Sequence, residues 1–310
     1  GNVTDGIEVV MGGGRRNFLP MEKSAKSADA SSEIEGDRTD GRNLIEEWTS
    51  LYPSGIYIED QPGFDALNSD KTQQLFGLFN ESHMRYAADR KNDIGGEPSL
   101  TEMTAKAIEI LDNNPKGFLL VVESGRIDHG HHAGSAYTAL NDTVEFSRAV
   151  QAAVDGTSAK ETLIIVTADH SHVFTMAGYP KRGNPILGKV VNVGEVKPAL
   201  AADGLPYTTL GYANGLGFRD MSDRTDADLV YDSEPVTGRQ DLRKVDTEAA
   251  GFHQEALVPE ESETHGGEDV AIYATGPGAH LVSGSNEQSI IFHVMNYAGN
   301  LFERASEALK

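Results

Sequence analysis

The run FLLVVESGRIDHGHH, Phe118 to His132, decides the fold class of this 310-residue chain. Its first five residues are uninterrupted apolar side chains, the pattern of a strand buried on both faces, and Glu123 then breaks the run with a charge. A second run, LIIVTADHSH from Leu163 to His172, repeats the arrangement: a short apolar strand whose carboxyl end turns into acidic and imidazole side chains. Between them, residues 132–154 carry Leu140, Val144, Val150 and Val154 as an apolar stripe, which predicts a long helix. Strand, helix, strand is the order of a crossover unit, so the expected architecture is α/β, with a mostly parallel central sheet sandwiched by helices.

The flanks extend that reading. Gly6–Val10 predicts a strand running into Met11–Gly14, three glycines where the chain can take positive φ. Ser99 and Glu102 form a capping box ahead of a helix to Asn113, with Leu100, Met103, Ala107 and Leu111 on one face. Val270–Ala274 predicts a third buried strand and Ile290–Leu301 a closing helix, whereas the polar residues 21–43 predict a surface loop. Between 184 and 262 neither period survives, which predicts an irregular insertion projecting from the sheet. The expected organisation is a core from 1–183, the insertion at 184–262, and a return to the core at 263–310.

Composition restricts the chemistry. With 48 acidic against 26 basic residues and a net charge of −22, nucleic acid and anionic membranes are unsuitable partners. The excess suits either an ordinary acidic exported protein or a protein adapted to high salt, which screens such repulsion. No apolar run approaches the length of a membrane-spanning helix. There is no cysteine, so any bound metal must be held by His, Asp and Glu.

Five of the ten histidines fall between 129 and 172, at the two strand ends. Asp128 and His132 are four residues apart, so a helical turn places them on one face, where both can reach one ion. Asp169 and His170 are adjacent and converge only where the strand has ended. His265 lies in Glu263-Thr-His-Gly-Gly267, whose glycines permit close backbone approach. Either cluster alone could be a solvated, hydrogen-bonded turn. Two of them on neighbouring strand ends favour a metal site, at the sheet edge where such folds bind ligands.

These residues lie in runs that resemble the alkaline phosphatases, closest to the branch of the animal enzymes and their marine bacterial relatives. The runs are VESGRIDHGHH (122–132), TADHSH (167–172), RGNPILG (182–188) and ETHGGEDVAIYATGP (263–277). The likeness extends from EVVMGGGRRNFLP (8–20) to FHVMNYAG (292–299). The resemblance implies a fold with a crown-like insertion, a homodimer, and a periplasmic or extracellular location. It implies Asp128, His132 and His265 on one zinc, Asp169 and His170 on a second, and Glu123 on a magnesium. His129 would meet phosphate through water, and His172 would orient a zinc-bound carboxylate. Arg126 has no implied catalytic part, and a structural salt bridge is expected of it.

The implied reaction is hydrolysis of phosphate monoesters through a phosphoserine. The family's nucleophilic serine, bridging aspartate and phosphate-clamping arginine belong upstream of every run above. The expectation is therefore a piece starting in mid-protein, with the missing segment elsewhere or on a companion chain. The only comparable string, Ala28–Ser32, sits in the polar loop. A calcium-type site of the animal branch would draw on residues 77–100, where Asn80 replaces an expected acid and Glu97 keeps one. Two readings compete with the phosphatase. One is a phosphodiesterase, mutase or sulfatase with the same metal core; the other is a metal-binding or interaction module without catalysis.

Overall fold

The computed structural model describes residues 6–25, 36–231 and 233–308; the Ala28–Ser32 string lies outside them. In chain order the strands are β1 Val9–Gly12, β2 Ile56–Ile58, β3 Leu75–Leu78, β4 Ile164–Val166, β5 Ser171–His172, β6 Phe174–Met176, β7 Leu210–Gly215, β8 Arg219–Asp220, β9 Phe252–His253, β10 Ala256–Pro259, β11 His265–Gly266 and β12 Tyr273–Thr275. The α-helices are α1 Leu44–Leu51, α2 Gln61–Asp65, α3 Leu100–Leu111, α4 Arg126–His132, α5 Ala136–Gly156, α6 Ile290–Gly299 and α7 Leu301–Ala308. The class is mixed α/β, as expected, although the first strand of the strand–helix–strand order that suggested it does not form. None of the described helices is long and apolar enough to cross a membrane.

The parallel sheet has the order β1-β3-β2, with Val9 opposite Leu75 and Ile56 opposite Leu75 on the other side. Central β3 is buried at all four positions, as expected of a strand covered on both faces. Leu75 packs with Ile58, Phe64, Phe79 and Ile110 into the main apolar cluster. The glycine turn after β1 is required by a close approach: a Cβ on Gly13 would lie 2.2 Å from the Ser82 carbonyl oxygen, and Gly14 has φ +80°. The predicted capping box forms, with Ser99 Oγ accepting from Glu102 N–H and Glu102 Oε2 accepting from Ser99 N–H. From that start α3 packs along α5 and against β1.

The expected helix over 132–154 is two helices. Gly134 takes φ +71° and donates to the His131 carbonyl, closing α4, and Ser135 Oγ caps α5 by accepting from Thr138 N–H. Asn300, with φ +50°, divides the closing segment into α6 and α7 in the same way. The third predicted strand is shorter than expected, beginning at Tyr273, and β12 runs antiparallel to β4 with Val166 opposite Tyr273.

The strand expected at Phe118–Val122 does not form, and it is not fully buried. These residues pair with no described strand, and exposure alternates, with Leu119 at 65 % and Val121 at 84 %. The physical reason is the absence of an edge. A strand is stabilised by a neighbour's backbone ladder, and among the described residues β1 pairs only with β3 and β4 only with β12.

The stretch 184–262 contains β7, which pairs antiparallel with β6 and parallel with β10. It also turns back onto the helices. Buried Gln254 donates its N–H to the Gly134 carbonyl and accepts from Ala136 N–H, and buried His253 Nδ1 donates to the Ala133 carbonyl at 2.7 Å. The irregular stretch thus braces the α4–α5 junction that carries Asp128 and His132.

Candidate metal centre

Three short elements bring the site together. The α4 turn presents Asp128 and His132, β5 presents His172 directly after His170, and β11 pairs antiparallel with β5 so that His265 lies opposite His172. His132 Nε2 is 3.3 Å from Asp128 Oδ2 and 3.2 Å from His265 Nε2, and His265 Nε2 is 3.4 Å from Asp128 Oδ1. A tetrahedron of ligands about 2.0–2.1 Å from a zinc ion has edges of about 3.3–3.4 Å. Each separation is close to that edge length, but they use both Asp128 oxygens, Oδ2 toward His132 and Oδ1 toward His265, so the carboxylate faces the two imidazoles with different atoms.

Hydrogen bonding around the triad fits a cation at its centre. His132 Nδ1 is 2.6 Å from the Glu263 carbonyl oxygen, which can only accept, so the proton is on Nδ1 and a neutral ring turns its Nε2 lone pair toward His265 and Asp128. Buried Asp128 Oδ1 has no aligned hydrogen bond, and the Nε2 atoms of His265 and His170 lie 3.4 and 3.8 Å from it. Converging acceptor atoms repel unless positive charge lies among them.

A second pair adjoins the first. Asp169 Oδ2 is 3.4 Å from His170 Nε2, and the His170 ring stacks on His265 with centroids 3.5 Å apart. Asp169 is largely exposed, and Asp128 stands between the two groups, 3.8 Å from His170.

Two groups of three are close enough to surround an ion: Asp128 with His170 and His265, which crosses the expected division between the two zincs, and His132 with His172 and Glu263, whose atoms are already committed to one another. The Glu263 carboxylate is fully buried; Oε2 accepts from His172 Nδ1 at 2.7 Å and Oε1 from Val173 N–H at 2.8 Å. Burial opposes charge on His172, yet the Glu263 and Asp128 carboxylates outweigh it and hold its pKa above the ordinary histidine value. His172 Nε2 meets Asp128 Oδ1 at 3.1 Å. Glu263 supports the candidate ligands and is a residue of the site that sequence reasoning missed. Its signal was the spacing Glu263-x-His265, since alternate residues of an extended segment share a face. His131 stacks on His172 and bonds the Tyr212 hydroxyl; burial pushes its pKa down to about 3.

The remaining predicted residues stand apart from the triad. His129 Nδ1 is 2.7 Å from the Arg126 guanidinium, and burial, Arg126 and His83 together depress its pKa. Glu123 is exposed and lines a cavity of about 250 Å³ shared with Arg126, Asp142 and Glu145. Asn80 and Glu97 are buried, each with a local partner: Asn80 Oδ1 accepts from Ser82 N–H, and Glu97 Oε1 accepts from Arg85 N–H at 2.6 Å. The Arg85 guanidinium lies 3.6–3.9 Å from Asp89, Asp93 and Asp226, so in this region a side-chain cation already faces the acids.

Residues 2–301 match the family described as Alkaline phosphatase. The tissue-nonspecific isozyme of alkaline phosphatase from Gallus gallus is 42% identical over 300 residues, 96% of this chain and 53% of that protein. The corresponding isozyme from Homo sapiens is 40% identical over 301 residues, with the same shares covered. An alkaline phosphatase from Gadus morhua is 40% identical over 299 residues, 58% of its length. The chain therefore spans about half the length of the curated relatives it matches. Among solved structures, alkaline phosphatase from Thermus thermophilus superposes with a TM-score of 0.59 at 22% identity, covering 94% of this chain and 62% of that one. The cold-active alkaline phosphatase from Shewanella sp. gives 0.54 at 17%, covering 95% and 65%. At such identities the likeness concerns the fold alone.

Proposed function

The chain belongs to the alkaline phosphatase family, and we propose from this premise that it supplies the metal-holding part of an enzyme that hydrolyses phosphate monoesters. The observation that carries the reading is the convergence of Asp128, His132 and His265, whose nitrogens lie 3.2 Å apart and each 3.3–3.4 Å from one oxygen of the Asp128 carboxylate.

In this reading Asp128, His132 and His265 hold one zinc, Asp169 and His170 hold a second, and Glu123 serves a magnesium. Zinc at such a pair supplies charge at both the attacking and the leaving oxygen of an in-line displacement, and a water acidic near neutral pH. The chain's own residues supply the frame. Glu263 fixes the tautomer of His132 through its carbonyl and the orientation of His172 through its carboxylate; His172 in turn steadies Asp128. The ligands are thereby held before any ion arrives, which is what tight metal sites require of their supporting hydrogen bonds.

The serine that attacks phosphorus and the arginine that clamps the phosphate belong, on this proposal, to a segment outside the chain. Alone, residues 1–310 bind metal and turn over substrate poorly. The assembled protein is an exported homodimer, and its excess of carboxylates suits a salt-rich medium. A calcium ion at Asn80 and Glu97 has weaker support, because Arg85 already faces the neighbouring acids.

Anomalous scattering at the zinc edge, paired with chelator competition, tests the ligand assignment. Two peaks on the order of 4 Å apart are expected, one among Asp128, His132 and His265 and one at Asp169 and His170. His132→Ala should empty the first and leave the fold intact. Zinc bound elsewhere, or no stoichiometric zinc, would overturn the reading.

A further inference from the structure

Arg126, on the first turn of α4, makes three directed contacts at once. Its guanidinium carbon lies 3.5 Å from the Tyr86 ring centroid, its Nη2 donates to Asp228 Oδ2 at 2.7 Å, and its Nη1 donates to His129 Nδ1 at 2.7 Å. The clamp is itself anchored. Tyr86 is buried and its hydroxyl donates to Asp228 Oδ1, while the Tyr231 hydroxyl bonds the His129 carbonyl at 3.3 Å. Asp228 and Tyr231 come from the irregular stretch, about a hundred residues along the chain from the helix they grip.

An arginine side chain has donors only and keeps its charge throughout the physiological range. A ring nitrogen 2.7 Å from it must therefore be the acceptor, with the lone pair on Nδ1 and the proton on Nε2. We propose that Arg126, anchored by Asp228 and Tyr86, is a positioning residue that locks His129 in the Nε2–H tautomer, which leaves His129 a hydrogen-bond donor at Nε2 and not a base. That this donor meets phosphate rests on the phosphatase reading above; the tautomer rests on the clamp alone. Lysine would be no equal substitute, since one ammonium cannot keep the planar fork that meets Asp228 with one nitrogen and His129 with the other.

The test is nitrogen-15 NMR of the 310-residue chain with labelled histidine, His129 being assigned by its loss in His129→Gln. The expected spectrum places Nδ1 with unprotonated ring nitrogens and Nε2 with protonated ones at neutral pH, with no metal or turnover needed. Arg126→Met should spread His129 over both tautomers, and Arg126→Lys, which keeps one donor, should partly restore the single form. Should Arg126→Met fail to fold, Asp228→Asn slackens the same clamp and should broaden the tautomer population. A proton on Nδ1 in the parent chain, or unchanged His129 shifts in the folded variants, would overturn the proposal. In the zinc-loaded chain, inorganic phosphate should bind about tenfold more weakly to Arg126→Met than to the parent, as for one lost hydrogen bond to a charged group. Equal affinity would overturn the donor role, whereas a parent chain that binds neither zinc nor phosphate would count against the phosphatase reading and leave the tautomer to the spectrum.

Discussion

Glu263 has no exposed carboxylate surface, and it touches two imidazoles and a backbone amide. A buried carboxylate is tolerated only when such bonds replace its hydration. Glu263→Gln would keep an oxygen for Val173 N–H but turn an amide donor toward His172 Nδ1–H. We expect zinc affinity to fall roughly 10- to 100-fold, as for lost supporting partners at metal sites, with little change in the circular dichroism of the fold; chelator competition measures it. His253 makes a second residue-level case. Burial holds its pKa down at about 4, against 6.5 in the open chain. The unfolded chain therefore takes up the proton first, so the contribution of His253 is fully present above about pH 6.5 and is lost as pH falls toward 4. Melting temperature followed from pH 7 to pH 4.5 should drop, and His253→Gln, which keeps a donor for Ala133, should make the drop shallower. An equal slope in both proteins would exclude His253 as a source of the acid sensitivity.

At the scale of elements, the α4–α5 junction separates local from tertiary control. Capping chemistry was legible in advance: Ser99 and Glu102 formed their box as written. The break at Gly134 was written too, in Ala-Gly-Ser, but the apolar stripe from Leu140 to Val154 obscured it. That stripe misleads because Val144 and Val154 remain 49 % and 43 % exposed, while small side chains such as Ala139 and Ala149 make the buried face. The candidate ligand residues could be named from the sequence because imidazole and carboxylate spacing within a turn is local. Tyr86 and Asp228 were not, because what makes them functional is a contact 142 residues apart in sequence. Gly134→Ala isolates the backbone term: φ is +71° and a Cβ would meet nothing within 4 Å, so the cost is conformational, about 1 kcal/mol. Urea denaturation should show that loss with an unchanged m-value. A neutral effect would mean that the junction relaxes to negative φ, and then the α4 ligands should shift and zinc affinity should fall with it.

For the whole molecule, surface area is the most informative quantity. A compact monomer of 33.3 kDa exposes about 12,600 Å², whereas this chain exposes 17996 Å². An excess of roughly 5,400 Å² exceeds what one partner contributes to most stable interfaces. It includes a backbone run at Phe118–Val122 that pairs with no described strand and leads into α4, which carries the candidate ligands Asp128 and His132, with Leu119 and Val121 turned outward. Sequence pattern identified this run as a strand because its side chains suit a covered sheet position; it could not say whose backbone covers it. Relatives about twice as long offer the candidate: a segment, covalently joined or separate, that supplies strands beside Phe118–Val122 and, on the function proposed above, the serine nucleophile. Adding the corresponding upstream segment of an alkaline phosphatase should protect the amides of 118–122 from hydrogen exchange. It should also raise p-nitrophenyl phosphate turnover by orders of magnitude over residues 1–310 with zinc and magnesium alone. The two readouts separate completion of the fold from completion of the chemistry, since a segment lacking its serine should give protection without turnover. Strong turnover by residues 1–310 unaided would place the nucleophile within this chain, and unprotected amides in an active complex would place the missing strands elsewhere in the fold.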